Sequence, residues 1–304
     1  MLISVITVCK NAANTVEAAI QSVLNQSYQN IEYIILDGDS QDGTQAIVAQ
    51  YQDELTYFAS EPDGGIYDAM NKGIDLAQGD YLYFLNADDY VIDQNVFQDF
   101  IDYAKTNPEA GFIYGDFEVR LPNGDRPCYT PSPPEQFTES LICLNLCPVQ
   151  QCIFFKAEIF KLIGPFNQTY RIAADYDWYT RLAHTPEVHL AYFPRLVVSY
   201  ASEGLSSHLE PLFQEIFAIQ NSFPVYQETD WLRRRIELFQ AAFLQLNLLS
   251  KDRGSLIEAQ TALINTQRDQ IDLLTFSYAS GDWKGILKAI LKTTKSFLRK
   301  KLKP

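Results

Sequence analysis

Tyr81-Leu82-Tyr83-Phe84-Leu85-Asn86-Ala87-Asp88-Asp89 joins an apolar, aromatic run directly to an amide and two carboxylates. Five apolar residues without alternation read as a strand buried on both faces. Carboxylates at the mouth of such a strand are costly unless paired with cations or a metal, or hydrated. Hard oxygen ligands of this kind suit Mg²⁺ or Mn²⁺, which bind through one or two carboxylates together with substrate phosphates. The plainer reading is that Asp88 or Asp89 caps the next helix, since Asp is a favoured N-cap. Taken alone, the stretch supports both.

Outward from it, the first hundred residues alternate short β-rich runs with helical ones. Residues 3–8, 31–36 and 55–59 read as strands, and residues 15–24, 44–51 and 67–77 as helices. The first of these helices has Val16, Ala19, Ile20 and Val23 on one face. That alternation predicts parallel βαβ units, in which ligands bind beyond the carboxyl ends of the strands. Those ends carry Cys9-Lys10-Asn11, Asp37-Gly38-Asp39 and Asn86-Ala87-Asp88-Asp89. Asp37, Asp39 and Asp42 would repel one another and the second acidic end unless compensated, and a metal–diphosphate ligand would answer much of that. An Asx-rich turn entering a helix also accounts for residues 37–44, and the two readings are compatible.

In the second hundred, residues 111–120, 151–155 and 189–200 read as strands and residues 173–183 as a helix, with a Pro-rich loop at 122–134. Long helical patterns follow at 211–223, 231–249 and 255–276. The net charge of −14 argues against nonspecific binding to nucleic acid. Five cysteines with no paired spacing read as reduced thiols rather than a disulfide or zinc framework. The amino-terminal apolar run has no basic region before it and is expected to be a buried strand, not a leader. No stretch reaches the apolar length of a membrane span.

Several of these segments, in this order and at this spacing, resemble glycosyltransferase family 2. They are Ile3-Ser4-Val5-Ile6-Thr7-Val8-Cys9-Lys10-Asn11, Ser22-Val23-Leu24-Asn25-Gln26-Ser27-Tyr28, and Asp37-Gly38-Asp39-Ser40-Gln41-Asp42-Gly43-Thr44. Glu61-Pro62-Asp63-Gly64-Gly65-Ile66-Tyr67-Asp68-Ala69-Met70-Asn71-Lys72-Gly73 and the run through Asp88-Asp89 continue the series. The resemblance spans roughly the first two thirds of the chain. It implies an α/β GT-A fold with a mixed central sheet, and a nucleotide-diphosphate sugar as donor. It also implies that Thr7 and Asn11 line the nucleotide pocket and that Asp37 or Asp39 bonds the base or ribose. Asn71 and Lys72 would lie near the nucleotide sugar, and Asp88 would be the Mg²⁺ or Mn²⁺ ligand closing a DxD-type motif. Asn86 departs from that motif at its first position, though an amide can still meet ribose or a metal-bound water.

Ala173-Ala174-Asp175-Tyr176-Asp177-Trp178-Tyr179-Thr180-Arg181-Leu182 resembles the segment in which the family carries its catalytic base, which would make Asp175 that base and Asp177 its support. Inversion needs a group opposite the leaving diphosphate to take the acceptor's proton. Without the resemblance, both acids are ordinary first-turn electrostatics. Pro148-Val149-Gln150-Gln151 resembles a loop that often reads Pro-x-His-Gln, with Gln150 in the histidine's place. Some members complete the metal site with a histidine near Gly204-Leu205-Ser206-Ser207-His208, which makes His208 a candidate ligand. Tyr176 and Trp178 could stack on a sugar or serve the core.

Residues 284–304 hold eight basic residues and no acidic one. Ile286, Leu287, Ile290, Leu291, Phe297 and Leu298 fall on one helical face, with Lys284, Lys288, Lys292, Lys295 and Arg299 on the other. A helix of this kind lies in the interface of an anionic membrane. The expected organisation is a transferase domain at 1–210 (nucleotide half 1–110, acceptor half 111–210), a helical extension at 211–280 and a basic tail at 281–304. The enzyme is expected on the cytoplasmic face of the membrane, acting on a saccharide or lipid-linked acceptor in cell-surface polysaccharide biosynthesis. The carboxyl-terminal helices could pair in a homo-oligomer or cap the body. The rival readings are a nucleotidyltransferase, whose Gly-rich basic loop is missing after residue 8, and a non-catalytic carbohydrate-binding or membrane scaffold that kept the fold.

Overall fold

Seven consecutive buried residues, Ile3–Cys9, form the first strand, β1. It is covered on both faces because strands pair along both of its edges and helices pack above and below. A computed structural model of the 304-residue chain describes residues 1–144, 146–202, 204, 209–234 and 236–237. β1 pairs in parallel with β2 (Ile31–Asp37) on one side and β4 (Tyr81–Phe84) on the other, and β2 pairs in parallel with β3 (Tyr57–Ser60). The helices α1 (Val16–Leu24), α2 (Thr44–Val48) and α3 (Ile66–Leu76) connect these strands. α1 buries Val16, Ala19, Ile20 and Val23, the stripe expected from its sequence. α3 lies close against β1 at Gly73, where a Cβ would come within 2.5 Å of the Ile6 side chain.

β5 (Tyr90–Val91) and α4 (Val96–Thr106) follow, then β6 (Ala110–Arg120), β7 (Cys128–Tyr129), α5 (Phe137–Leu144), β8 (Ile153–Lys156), α6 (Ala157–Ile163), α7 (Ala174–Leu182), β9 (His189–Ala201) and α8 (Leu209–Ser222). β8 enters antiparallel between β4 and β6, β9 runs parallel to β6, and β5 and β7 pair antiparallel with β9 and β6. The order across the described sheet is therefore β3-β2-β1-β4-β8-β6-β9-β5, with β7 beside β6. A purely parallel reading fails at β8; the sheet is mixed, as the family resemblance implies. α4 was not anticipated, although Val96, Phe97, Phe100, Ile101 and Ala104 make a buried helical stripe.

The centre of the sheet is an aromatic core. Phe154 of β8 stacks on Phe100 at 3.7 Å and on Tyr83 at 4.7 Å, and Trp178 of α7 lies 5.4 Å from Phe155 and 5.0 Å from Phe160. Trp178 is fully buried and its indole N–H donates to the Gly164 carbonyl at 2.9 Å, so it serves the core rather than a sugar. At the amino ends of β1 and β2, Ser4 donates to Glu32, and both accept backbone N–H bonds from Gly79 and Gln78 at 2.8 Å. That end is closed and polar-satisfied. His208, the tail at 281–304 and most of 211–280 lie outside the described residues, and among the described residues no helix is long and apolar enough to cross a membrane.

Candidate active site

Beyond the carboxyl ends of β1 and β4 opens a cavity of about 910 Å³. The loop after β1 supplies Lys10 and Asn11, the loop before α3 supplies Asp63, and the turn after β4 supplies Asn86 and Asp88. From the second half come Gln150, Arg171, Ile172 and Asp175, with Leu212 and Ile216 of α8 completing the wall.

The turn after β4 is held from two sides. Arg120 of β6 donates to the Asp88 carbonyl and lies over the Tyr90 ring at 4.5 Å, with its guanidinium 3.8 Å from Asp89. Asp89 is 1% exposed and accepts the Ala201 N–H at 2.6 Å through Oδ1. Burial raises its carboxyl well above the usual range, and the neighbouring Asp88 adds to that. Asp89 is thus the inward anchor, and Asp88 is the carboxylate that borders the cavity. Burial raises the Asp88 carboxyl as well, with Arg120 opposing. Beside it the Asn86 Oδ1 is buried without a hydrogen-bond partner among the described residues. An orphaned acceptor in such a place costs about 1–3 kcal/mol, and a ligand donor or a cation would recover it.

Asp175 stands in the first turn of α7. Its Oδ1 accepts the Tyr176 N–H at 2.8 Å and lies 3.1 Å from the Tyr67 hydroxyl, which is also 2.8 Å from the Ile172 carbonyl. Burial pushes the carboxyl up to about 6, against the lowering effect of those hydrogen bonds. Asp177, two residues on, turns the other way. It pairs with Arg181 at 3.0 Å, and Arg181 in turn donates to the carbonyls of Ile163 and Pro165 at 2.7 and 2.8 Å. Asp177 does not line the cavity and supports α7 rather than the reacting groups.

Of the other expected contacts, Asn11 borders the cavity in a left-handed conformation (φ 52°), its Oδ1 accepting the Gln41 N–H at 3.0 Å. Thr7 does not border it: fully buried, it shares a 3.1 Å hydrogen bond with Tyr33, because inward residues of a central strand belong to the core. Asp37 is also turned inward, 2% exposed, accepting from Ser40 N at 2.9 Å, Ser40 Oγ at 2.5 Å and Ser60 Oγ at 2.6 Å. Burial alone would raise its carboxyl, but these bonds hold it below the usual value. Asp39 is exposed with φ 60° and accepts from Gln41 Nε2 at 3.1 Å. Asn71 is spent on a two-way clasp with Phe166, donating to its carbonyl and accepting its N–H at 2.9 Å each. Lys72 pairs with Glu61 at 2.9 Å and Asp68 at 3.4 Å. None of these five lines the cavity, so the expected nucleotide contacts through them are corrected to structural ones.

Asp63 and Arg171 were given no role from sequence, yet both line the cavity. Asp63 was hidden in a turn motif, but Gly38 marks it: a Cβ there would lie 2.6 Å from the Asp63 carboxylate. Gln150 is 6% exposed, borders the cavity and leaves its Nε2 without a partner among the described residues. Tyr176 is 3% exposed and bonds the Leu141 carbonyl through its hydroxyl at 2.8 Å, so little of it is left for stacking on a sugar.

A pocket of this build at the strand carboxyl ends suits a nucleotide-linked substrate, and comparison with known proteins agrees. The profile of Glycosyl transferase family 2 matches residues 4–164. A PGL/p-HBAD biosynthesis glycosyltransferase of Mycobacterium bovis BCG is 30% identical over 206 residues, covering 67% of this chain and 78% of that protein. A glycosyltransferase of Mycobacterium tuberculosis H37Rv is 31% identical over 211 residues, 69% and 78% of the two chains. Among solved structures, S. aureus TarS 1-349 in complex with UDP-GlcNAc superposes with a TM-score of 0.56 over 92% of each chain at 17% identity. The mannosyltransferase PcManGT of Pyrobaculum calidifontis, in complex with GDP-Man and Mn²⁺, gives 0.58 over 95% of this chain and 86% of its own at 16% identity. At such identities the structural likeness speaks for the fold, while the sequence matches carry the family. The chain belongs to glycosyl transferase family 2 and is a sugar-transferring enzyme of the GT-A fold.

Proposed function

We propose that the enzyme transfers a sugar, with inversion, from a nucleotide-diphosphate sugar to an acceptor hydroxyl, using Asp88 and Asp175 in separate roles. The observation that carries this is their shared cavity: Asp88 comes from the turn after β4, Asp175 from the start of α7 in the other half of the sheet, and both border one space. In this reading the acceptor oxygen attacks the anomeric carbon and its proton passes to Asp175. The bond from that carbon to the diphosphate oxygen breaks, and its electrons leave with the nucleotide. A carboxyl pushed up to about 6 is a stronger base than an ordinary one and is still ionised near neutral pH.

The donor set around Asp88 fits a divalent ion of the Mg²⁺ or Mn²⁺ kind. Asp88 offers one hard carboxylate and Asn86 a buried, unpartnered amide oxygen, and such ions need only one or two carboxylates besides phosphate oxygens. When bound, the ion supplies neutralisation of the charge gathering on the leaving diphosphate. Its loss by chelation should therefore slow turnover. The Mn²⁺ in the mannosyltransferase complex supports the same reading.

Further out, we place the acceptor among saccharide or lipid-linked intermediates of a cell-surface glycan. The name of the mycobacterial relatives, which act in PGL/p-HBAD biosynthesis, supports that class. The basic tail at 281–304 would hold the enzyme on the cytoplasmic face of an anionic membrane. Deleting residues 284–304 should release the protein from anionic liposomes, and unchanged flotation would remove the membrane from the account. The whole reading is tested with a panel of UDP- and GDP-sugars scored for metal-dependent binding and hydrolysis. Wild-type turnover retained by both Asp88→Ala and Asp175→Asn would overturn it.

A further inference from the structure

α7 begins without a capping side chain of its own, because Ala173 holds the N-cap position. The first amides of a helix have no acceptor within it. Here the acceptor comes from α8. Glu215 takes the Arg171 N–H on Oε1 and the Ile172 and Ala173 N–H groups on Oε2, each at 2.9 Å. One carboxylate thus gathers three consecutive amides 42 to 44 positions away in sequence, at the positive end of the helix. The segment so gathered does the work of the site: Arg171 and Ile172 line the cavity, and the Ile172 carbonyl meets the Tyr67 hydroxyl that lies beside Asp175.

We propose that Glu215 is a positioning residue for the catalytic base: it fixes the start of α7 and so sets where the Asp175 carboxylate stands and how readily it holds a proton. This rests on Asp175 being the base. Groups facing Asp175 are Tyr67 of α3, Cys147 before β8, Tyr179 of α7 and Glu215 of α8, with Arg171 in the gathered segment. Burial is the main reason the Asp175 carboxyl stands high, and the negative charge of Glu215 adds to it.

The test uses the full chain with Glu215→Gln, Glu215→Ala and Asp175→Asn, measured with the nucleotide sugar that the panel identifies. Glu215→Gln keeps shape and one acceptor oxygen but loses the charge. It should lower kcat on the order of tenfold to a hundredfold, as displaced supporting groups do. Donor KM should stay within about threefold, since Glu215 lies outside the cavity. The acid limb of the kcat–pH profile should move to lower pH, and Glu215→Ala should lose more rate than Glu215→Gln. Unchanged kcat in folded Glu215→Gln, or a lower kcat with the acid limb unmoved, would overturn the proposal. Hydrogen exchange on the wild type adds a measurement that needs no variant: the Arg171, Ile172 and Ala173 amides should be protected, and fast exchange there would contradict the clamp. If Asp175→Asn turns over normally, the base assignment itself fails. An inactive Asp175→Asn beside a normal Glu215→Gln sinks only the role of Glu215.

Discussion

At the carboxyl end of β2, Asp37 accepts hydrogen bonds from Ser40 and Ser60, is 2% exposed and is held below the usual carboxylate pKa. In the turn after β4, two strands away, Asp88 borders the cavity next to an amide oxygen with no partner, and burial lifts its pKa. Both aspartates follow apolar strands, and their surroundings sort them. The first closes a knot in which Ser40 and Asn11 tie the loops after β1 and β2 together. The second is held open, because Asp89 and Arg120 take the structural bonds of its turn. α7 repeats the contrast within one helical turn, where Asp177 pairs with Arg181 and Asp175 faces the cavity. A carboxylate already saturated by its own fold is poorly placed to act on a substrate; one left short of partners costs stability and is available for chemistry.

The contrast can be broken most sharply at Asp175. Replacing it with Asn should lower kcat by about 10²–10⁴-fold, the range for loss of a general base, and should remove the acid limb expected near pH 6 in the wild type. A rate that stays flat from pH 5 to 8 in the wild type would contradict the base assignment. The same carboxyl has a stability signature. Its folded pKa of about 6 lies above the model value of 3.8, so the folded state binds the proton more tightly and stability falls as pH rises through that window. Asp175→Asn should therefore be more stable than the wild type at pH 8, on the order of 1–3 kcal/mol for a shift of this size; a lower Tm at pH 8 would argue that the site is not strained by its charge.

Asp37→Asn should do the reverse. Its folded carboxyl lies below its ordinary value, so its stabilisation is present near neutral pH and is lost as pH falls through the folded pKa. The substitution should cost about 1–3 kcal/mol by denaturant unfolding, while donor binding changes little. The smallest effect is expected at Asn71→Ala, which frees the Phe166 backbone from its clasp: roughly 1–2 kcal/mol of stability with donor KM preserved.

Local pattern carried the sequence reading as far as local pattern goes. β1, β2 and β4 were legible because uninterrupted apolar runs have few alternatives, and α1 because its stripe is clean. The direction of β8 was not, since antiparallel entry between β4 and β6 depends on pairings with residues about 40 and 70 positions away. α4 was passed over although its stripe is helical, because Val, Phe and Ile also favour strands. At the site, Asn11, Asn86, Asp88 and Asp175 do border the cavity. Asn71 turned out to clasp a backbone 95 residues away, and Thr7 to face Tyr33, contacts that no motif announces. Glu215 was beyond reach for the same reason: its three partners lie on another element.

The central claim is that the end of β4, and not the end of β2, receives the donor's diphosphate. Titration calorimetry of UDP- and GDP-sugars with and without Mn²⁺, on the wild type, Asp88→Ala and Asp37→Asn, tests it most directly. Asp88→Ala should lose the Mn²⁺-dependent gain in affinity, and Asp37→Asn should keep it. Loss of that gain in Asp37→Asn with retention in Asp88→Ala would contradict the account.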